Sequence, residues 1–417
     1  MSHEHPEPSD QSTAAPVSIA TRVRRVARGL LAAGVAAGLA LGALLVAFLL
    51  GEALVRVVAP QQLISVRPDI WMPEDSVGWS NRSLVQTTIN TGERTATVLT
   101  DTEGFRIGPT PRDTTGRQVL LVGDSFAQAL QVDYDDSFAA LLERSVAREL
   151  GAPVAMRNAA VDGWDPPQYL WRVRRALTTR RYDALLVTIY LGNDVVASTN
   201  EYRRRREPMR DMHVRWPRRF DRSGITEAVL YPLNDQLKRH SHLFVLLKQS
   251  LDVLLMRLGF TATDFPDEIL RSEASSARWD ITANFCERIA DVARRHGVPT
   301  LFAMIASSYQ VDSMEFRQFA RGFNLNPERV DLEQPNRLLG ERLAARHLNV
   351  VDPLERFRTL ARQGQQLYGR RDRHFSPAGH VAFAAAVEGA LVPLMRIGSR
   401  AAPRAGGNRA AGTAVFR

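Results

Sequence analysis

The feature that most constrains this chain is the run from residue 29 to residue 50, 22 positions without a charged side chain. A helix of that length crosses a hydrocarbon core of about 30 Å, whereas the apolar part of a cleavable leader is usually only about 7–15 residues. Arg22, Arg24, Arg25 and Arg28 precede the run, and Arg56 is the one cation that follows it closely. That bias holds the N-terminus in the cytoplasm. No small-residue cleavage site follows Leu50, so the run reads as an uncleaved signal anchor, with everything after it outside, in a periplasm or at a cell surface. Arg24-Arg25 would open a twin-arginine signal, but the flanking residues do not support one. Gly34, Gly38 and Gly42 recur every fourth residue. This puts them on one helix face, where close helix–helix approach in a homodimer becomes possible; an alanine- and glycine-rich span also produces that spacing by chance.

The rest of the chain has the composition of a folded protein. Of 417 residues, 45% are hydrophobic and 24% charged, which excludes a disordered or collagen-like chain. A single cysteine, Cys286, excludes an internal disulfide and a thiolate metal cluster. The formal charge is +9, with arginines clustered at 203–206 and at 218 and 219. Nucleic-acid binding would need a basic stripe on a recognisable module with interleaved aromatics. None is present, so a membrane surface is the better partner for this charge.

Residues 1–28 read as a cytoplasmic disordered tail, 29–50 as the transmembrane anchor and 51–117 as a lead-in with few strong periods. A domain then fills 118–398, and 399–417 form a disordered tail. Within the domain, apolar runs predict strands at 119–122, 154–158, 184–190, 300–305 and 349–352. Helical patterns fall at 137–150, 167–180, 281–295, 336–346 and 377–394. Strand and helix alternate, which predicts an α/β fold with a parallel sheet covered on both faces. Residues 200–275 form an arginine-rich insertion, read either as a recognition surface for anionic polymer or lipid headgroups or as a solvated loop. It includes a helical stretch at 237–258, whose Leu243, Leu246, Leu247, Leu251, Leu254 and Leu255 read as core or lid rather than membrane contact.

Chemistry-bearing residues collect after the strands, where ligands sit in doubly wound sheets. Gly123-Asp124-Ser125 follows the first, Asp162-Gly163 the second and Gly192-Asn193-Asp194 the third. Asp372-Arg373-His374 precedes the last helix, with Ser376 as its N-cap and Pro377 as its first residue. Each is also an ordinary turn or helix-entry sequence. Together they hold what acyl transfer requires. A serine hydroxyl needs a base, and histidine serves at neutral pH. A carboxylate can hold the imidazole, and backbone N–H groups with the Asn193 amide can receive an oxyanion. Asp372 and His374 could also ligate a metal, but no further His/Asp pairing at metal spacing accompanies them, and no metal or cofactor is expected.

At these positions the chain resembles the SGNH (GDSL-type) hydrolases. Their four blocks match Ser125 in Gly123-Asp124-Ser125-Phe126, Gly163 at the end of residues 158–163, Asn193 in Gly192-Asn193-Asp194, and His374 in the run from His374 to His380. The resemblance extends over about residues 119–394. It implies a flavodoxin-like three-layer α/β/α fold and metal-free serine esterase or acyl-transfer chemistry. Ser125 would be nucleophile and first oxyanion donor, Gly163 and Asn193 would complete the hole, and His374 would be the base. Gly123, Asp124 and Asp194 would support them. Asp372 stands two residues before His374 where the family usually has three. That Asp-x-His spacing is similar to the one in alginate O-acetylation proteins of the same superfamily. The implied activity is removal or transfer of acetyl on an O-acylated cell-envelope glycan by a membrane-anchored enzyme. The alternatives are a lipid esterase with 237–258 as lid, and a non-catalytic glycan-binding or assembly subunit of the same fold. Thr102-Glu103-Gly104-Phe105-Arg106 is similar to a segment of membrane-anchored members and carries no assigned role.

Overall fold

The computed structural model describes residues 19–59, 69–91, 93–110, 115–195, 240–257, 267–322, 325–370 and 372–401, with the single positions 61, 67, 113, 233 and 237. The expected N-terminal tail, the arginine clusters at 203–206 and 218–219, Arg371 and most of the C-terminal tail lie outside them. The chain divides into two units, residues 1–59 and 60–417.

The first unit is one helix, α1 (Ile19–Val58), 40 residues long. It outruns the expected 29–50 at both ends because nothing near either end breaks a helix: no proline occurs between Pro16 and Pro60. Its stretch Leu31–Val58 is long and apolar enough to cross a membrane, with mean hydropathy 2.4.

In the second unit, five parallel strands carry the expected layers. They are β6 (Arg117–Val122), β7 (Val154–Asn158), β8 (Ala184–Tyr190), β9 (Thr300–Ile305) and β10 (Asn349–Val351). Their spatial order is β7-β6-β8-β9-β10, the flavodoxin-like order. The register is continuous, with Leu121 opposite Asn158 on one side and Leu186 on the other. Side chains alternate between two cores, as period-2 geometry requires. Leu120, Val122, Leu185, Val187, Phe302 and Met304 face one core. Val119, Leu121, Leu186, Leu301, Ala303 and Ile305 face the other.

Helices cover both faces. Following β6 come α2 (Ser125–Gln128) and α3 (Phe138–Leu150); α4 (Pro166–Thr179) follows β7. After β8 come α5 (His242–Arg257), α6 (Arg278–Arg295), and beyond β9 α7 (Ser308–Val311) and α8 (Ser313–Gly322). α9 (Gln334–Ala345), α10 (Leu354–Arg362) and α11 (Pro377–Ala401) complete the order. α4, α6 and α9 pack on the first core, and α3, α10 and α11 on the second. α3 begins as its sequence dictates: Ser137 Oγ accepts the Ala140 N–H at 3.4 Å, and Gly151 closes the helix at φ +61°. Ser376 caps α11 in the same way, its Oγ accepting from Gly379 N at 3.1 Å. α11 is apolar enough to span a membrane by composition, yet half of that stretch is buried in the domain; it is a core helix, and it runs on to Ala401, past the expected end at 394.

The segment read as a lead-in is not peripheral. β1 (Trp71–Glu74) and β2 (Gly78–Asn81) form a hairpin. β3 (Gln86–Asn90), β4 (Thr95–Thr100) and β5 (Arg106–Ile107) extend the main sheet antiparallel beyond β7. The sheet is therefore mixed rather than wholly parallel. β4 shows the alternating burial of an edge region, with Ala96 and Val98 inward and Thr95 and Thr97 outward. Its apolar side is built largely from Thr, Ala and Val, too few large residues to stand out as a strand in the sequence.

Candidate active site

Ser125 opens α2 directly after β6, beside β8, where the strand order reverses. The turn that puts it there has no room for a side chain at Gly123: a Cβ would lie 2.0 Å from Thr188 Oγ1. Asp124 is the N-cap, its Oδ1 accepting from Phe126 N at 3.0 Å. The Asp124 carboxyl is fully enclosed, and burial pushes its pKa up to about 7.

His374 arrives from the loop before α11. Its Nε2 lies 2.8 Å from Ser125 Oγ, although 249 residues separate them in sequence. The ring rests on Phe126, centroid to centroid 4.7 Å, and Phe126 is in turn packed by Phe375 and Tyr190. Asp372 Oδ1 accepts the His374 backbone N–H at 3.0 Å, and its Oδ2 stands 4.0 Å from His374 Nδ1. Neither Nδ1 nor Oδ2 has a hydrogen-bond partner among the described residues. Burial raises the Asp372 pKa, and the positive charge His374 can carry opposes that rise. Arg373 between them adopts φ +61°, a left-handed turn that lets one carboxylate face both the backbone and the ring of the residue two further on.

Gly163 has φ +72°, a conformation that glycine adopts without penalty. Burial raises the pKa of the neighbouring Asp162 carboxyl, while the positive charge His374 can carry and the adjacent Gly163 backbone oppose that rise. Asn193 sits in the turn after β8, its N–H 3.3 Å from Tyr190 O. Asp194 closes that turn from inside. Its Oδ2 accepts from Tyr190 N at 2.8 Å and from Tyr169 Oη at 2.9 Å, and burial holds its pKa well above the ordinary value.

Several residues that shape the site carry no signal in the sequence. Gln128, buried on α2, donates to Asn81 Oδ1 at 2.8 Å and accepts from Asp162 N at 2.8 Å. Asn81 donates to Ala160 O at 3.0 Å, and Trp79 Nε1 to Asp162 O at 2.8 Å. The β1–β2 hairpin thus fixes the loop that carries Gly163. Arg106, the last residue of the unassigned Thr102–Arg106 segment, is fully buried. Its guanidinium donates to the carbonyls of Gln128, Ala129 and Val132, where α2 ends. Gly104 in the same segment has φ +76°, and a Cβ there would lie 2.8 Å from Asn81 O.

The fold is the flavodoxin-like three-layer α/β/α arrangement expected from the sequence, and it brings Ser125 and His374 of the first and last blocks into contact. No protein-family model matches the chain, and no curated protein does either. Among solved structures the chain is similar to TesA, at 16% identity over 67% of this chain and 99% of that one, with a TM-score of 0.36. It is similar to a lipase/acylhydrolase from Enterococcus faecalis, at 14% identity over 66% and 96% of the two chains, with a TM-score of 0.34. A catalytic mutant of Axe2, an acetylxylan esterase from Geobacillus stearothermophilus, is similar at 12% identity over 65% and 92%, with a TM-score of 0.35.

Proposed function

We propose that this chain is a membrane-anchored serine ester hydrolase of SGNH type that works outside the cytoplasm and removes, or transfers, acetyl groups on an O-acylated cell-envelope glycan. The observation that carries the ester chemistry is the 2.8 Å contact between Ser125 Oγ and His374 Nε2. In this reading Ser125 Oγ attacks the ester carbonyl carbon while its proton passes to Nε2. The N–H groups of Ser125 and Gly163 and the Asn193 amide receive the developing oxyanion. The bond to the sugar oxygen breaks, and that oxygen takes the proton back from His374. Water then attacks the acetyl-serine with His374 as base and releases acetate; a sugar hydroxyl in place of water gives transfer. Asp372 steadies the imidazolium during both steps. The acetyl and glycan part of the reading follows from the Asp372-Arg373-His374 spacing, and the location follows from α1 and the arginines before it.

The test is ester hydrolysis by the full chain in detergent micelles, on p-nitrophenyl acetate, on longer p-nitrophenyl acyl esters and on acetylated xylan or alginate, beside Ser125→Ala. Serine-dependent release that favours the polymers supports the proposal. A preference for long acyl chains replaces it with a lipid esterase. No serine-dependent release from any of these esters by a folded sample overturns the hydrolase reading and leaves a transferase without its acyl donor or a glycan-binding or assembly subunit.

A further inference from the structure

α4 and the turn after it, residues 166–182, carry five arginines and no acid. Arg180 pairs with Glu103 at 3.3 Å. Arg172, Arg174, Arg175 and Arg181 have no ion-pair partner among the described residues. Cations at a helix C-terminus offset the macrodipole, which accounts for Arg180 and Arg181 but not for the three arginines further back along the helix. Arg172 is 9% exposed, and its Nε has no hydrogen-bond partner. Its guanidinium lies 5.5, 5.1 and 5.3 Å from the ring centroids of Phe105, Trp164 and Trp171. Arg175 lies 5.4 Å from the same Trp171 ring. Two cations therefore flank one indole without an ion-paired carboxylate. Burial, and after it the Arg175 charge, push the Arg172 pKa down to about 10, against the opposing pull of Glu74 and Glu103. A buried cation without an anion is costly, so an external anion gains most at this pair.

The basic surface continues to the end of the helix. A cavity of about 510 Å³ opens there, lined by Thr178, Thr179, Arg180, Arg181 and, from just beyond α6, His296. Arg295, the neighbour of His296, is exposed. From Arg172 to Thr179 the helix advances about 10 Å, so the cations are spread along a line rather than gathered around one small ion. The line begins at the Gly163 loop, because Trp164, next to Gly163, is the ring 5.1 Å from Arg172. A flat bilayer meets the exposed arginines but not Arg172; acidic groups borne singly along a flexible chain reach both.

We propose that α4 is a binding surface for an acidic glycan: carboxylate or phosphate groups along one polymer chain pair with Arg172 and Arg175 beside Trp171, and with Arg181 at the end of the helix. This rests on the glycan part of the proposed function and names the class of that glycan, an anionic polymer held beside the Gly163 loop.

The test measures binding rather than turnover, with the full chain carrying Ser125→Ala in detergent micelles. The probes are polygalacturonate, poly(glycerol phosphate) and neutral dextran. Arg174→Gln, Arg175→Gln and Arg181→Gln together remove three exposed charges of the surface, and Arg321→Gln, Arg329→Gln and Arg362→Gln together remove three exposed charges elsewhere, as the control for net charge. Thermal melts establish that both triple variants are folded. The first is expected to weaken binding of at least one polyanion at least about tenfold, and the second less than about threefold. A preference for polygalacturonate assigns a carboxylate-bearing glycan, and a preference for poly(glycerol phosphate) a phosphate-bearing one. Equal losses in the two triple variants, dextran bound as tightly as the polyanions, or no binding of either polyanion overturns the proposal. Binding of dihexanoyl phosphatidylglycerol that depends on the three surface arginines, with neither polymer bound, replaces it with a lipid surface. Serine-dependent ester hydrolysis, assayed separately on the chain with Ser125 intact, reads the esterase proposal: binding by α4 without hydrolysis overturns that reading and leaves this one standing.

Discussion

At 4.0 Å, Asp372 Oδ2 and His374 Nδ1 are too far apart for a hydrogen bond. Contacts of this kind tighten when the imidazole becomes charged on substrate. In the proposed reaction Asp372 would therefore act mainly on the charged states and little on the resting ring, which Phe126 supports from its face. Asp372→Asn is expected to lower kcat about 10–100-fold with KM little changed, while His374→Ala lowers it at least about 10³-fold. Steady-state rates on p-nitrophenyl acetate separate the two; equal losses would mean that Asp372 is indispensable to the base.

Asp124 makes a second prediction, about stability. The folded chain keeps its proton up to about pH 7, against an ordinary value of 3.8, so the unfolded chain releases a proton that the fold retains. The stability linked to that proton is complete below about pH 4 and lost as pH rises through 7. His380, lowered to about 3 by burial, works in the opposite sense: its contribution is complete above 6.5 and lost as pH falls toward 3. The difference between the parent and Asp124→Asn isolates the first effect. The parent's Tm, relative to the variant's, is expected to fall by ~2–4 °C between pH 5 and pH 8. A difference that stays constant across that range would show that Asp124 is already ionised in the fold. Ser125, His374 and Asp372 were legible as candidates because a serine at a strand end and a histidine and aspartate ahead of the last helix stand out from turn residues by type and order. Gln128 and Asn81 were not, because a buried amide bonding to backbone leaves no pattern at any spacing.

Among the elements, the parallel strands were legible to within two residues, 300–305 and 154–158 without any shift, and α3, α4, α6 and α9 to within three; α7, α8 and α10 were not read, and α11 runs seven residues past its expected end. Continuous apolar runs and cap residues such as Ser137 and Gly151 mark them directly. The antiparallel strands β3 to β5 were not, being short, rich in threonine and defined by long-range pairing. Their clearest marker was the Thr102–Arg106 segment, whose purpose becomes visible only in the fold. α2 is four residues long and cannot satisfy its own terminal carbonyls. Arg106 supplies the missing donors and fixes the helix that carries Ser125. Its acceptors are backbone oxygens 22 to 26 residues later, which no side-chain pattern announces. Arg106→Leu is expected to cost about 3 kcal/mol or more, because bonds from a charged donor are each worth about 1.5–3 kcal/mol and their loss leaves buried carbonyls unpaired. Urea unfolding midpoints measure this, and Arg106→Lys should recover only part of it. A loss below about 1 kcal/mol would show that α2 holds without this support.

For the whole molecule, the boundary that matters lies between α1 and the sheet rather than at the start of β6. The hairpin and β3 to β5 bury Trp79, Val98 and Phe105 in the same core as β6 and β8. They also tie the Gly163 loop down through Trp79, Asn81 and Gln128. A parallel α/β sheet without them would expose that core and release the loop, since fully burying each large apolar side chain is worth about 1.5–3 kcal/mol. A chain beginning at Pro60 is therefore expected to fold cooperatively and keep the Ser125–His374 contact. One beginning at Arg117, which retains all four blocks of the resemblance, is expected to be largely unfolded or aggregated. Far-UV circular dichroism with thermal melting decides between them, and a cooperative melt from the shorter chain within a few degrees of the longer one would show that the site needs only the parallel core.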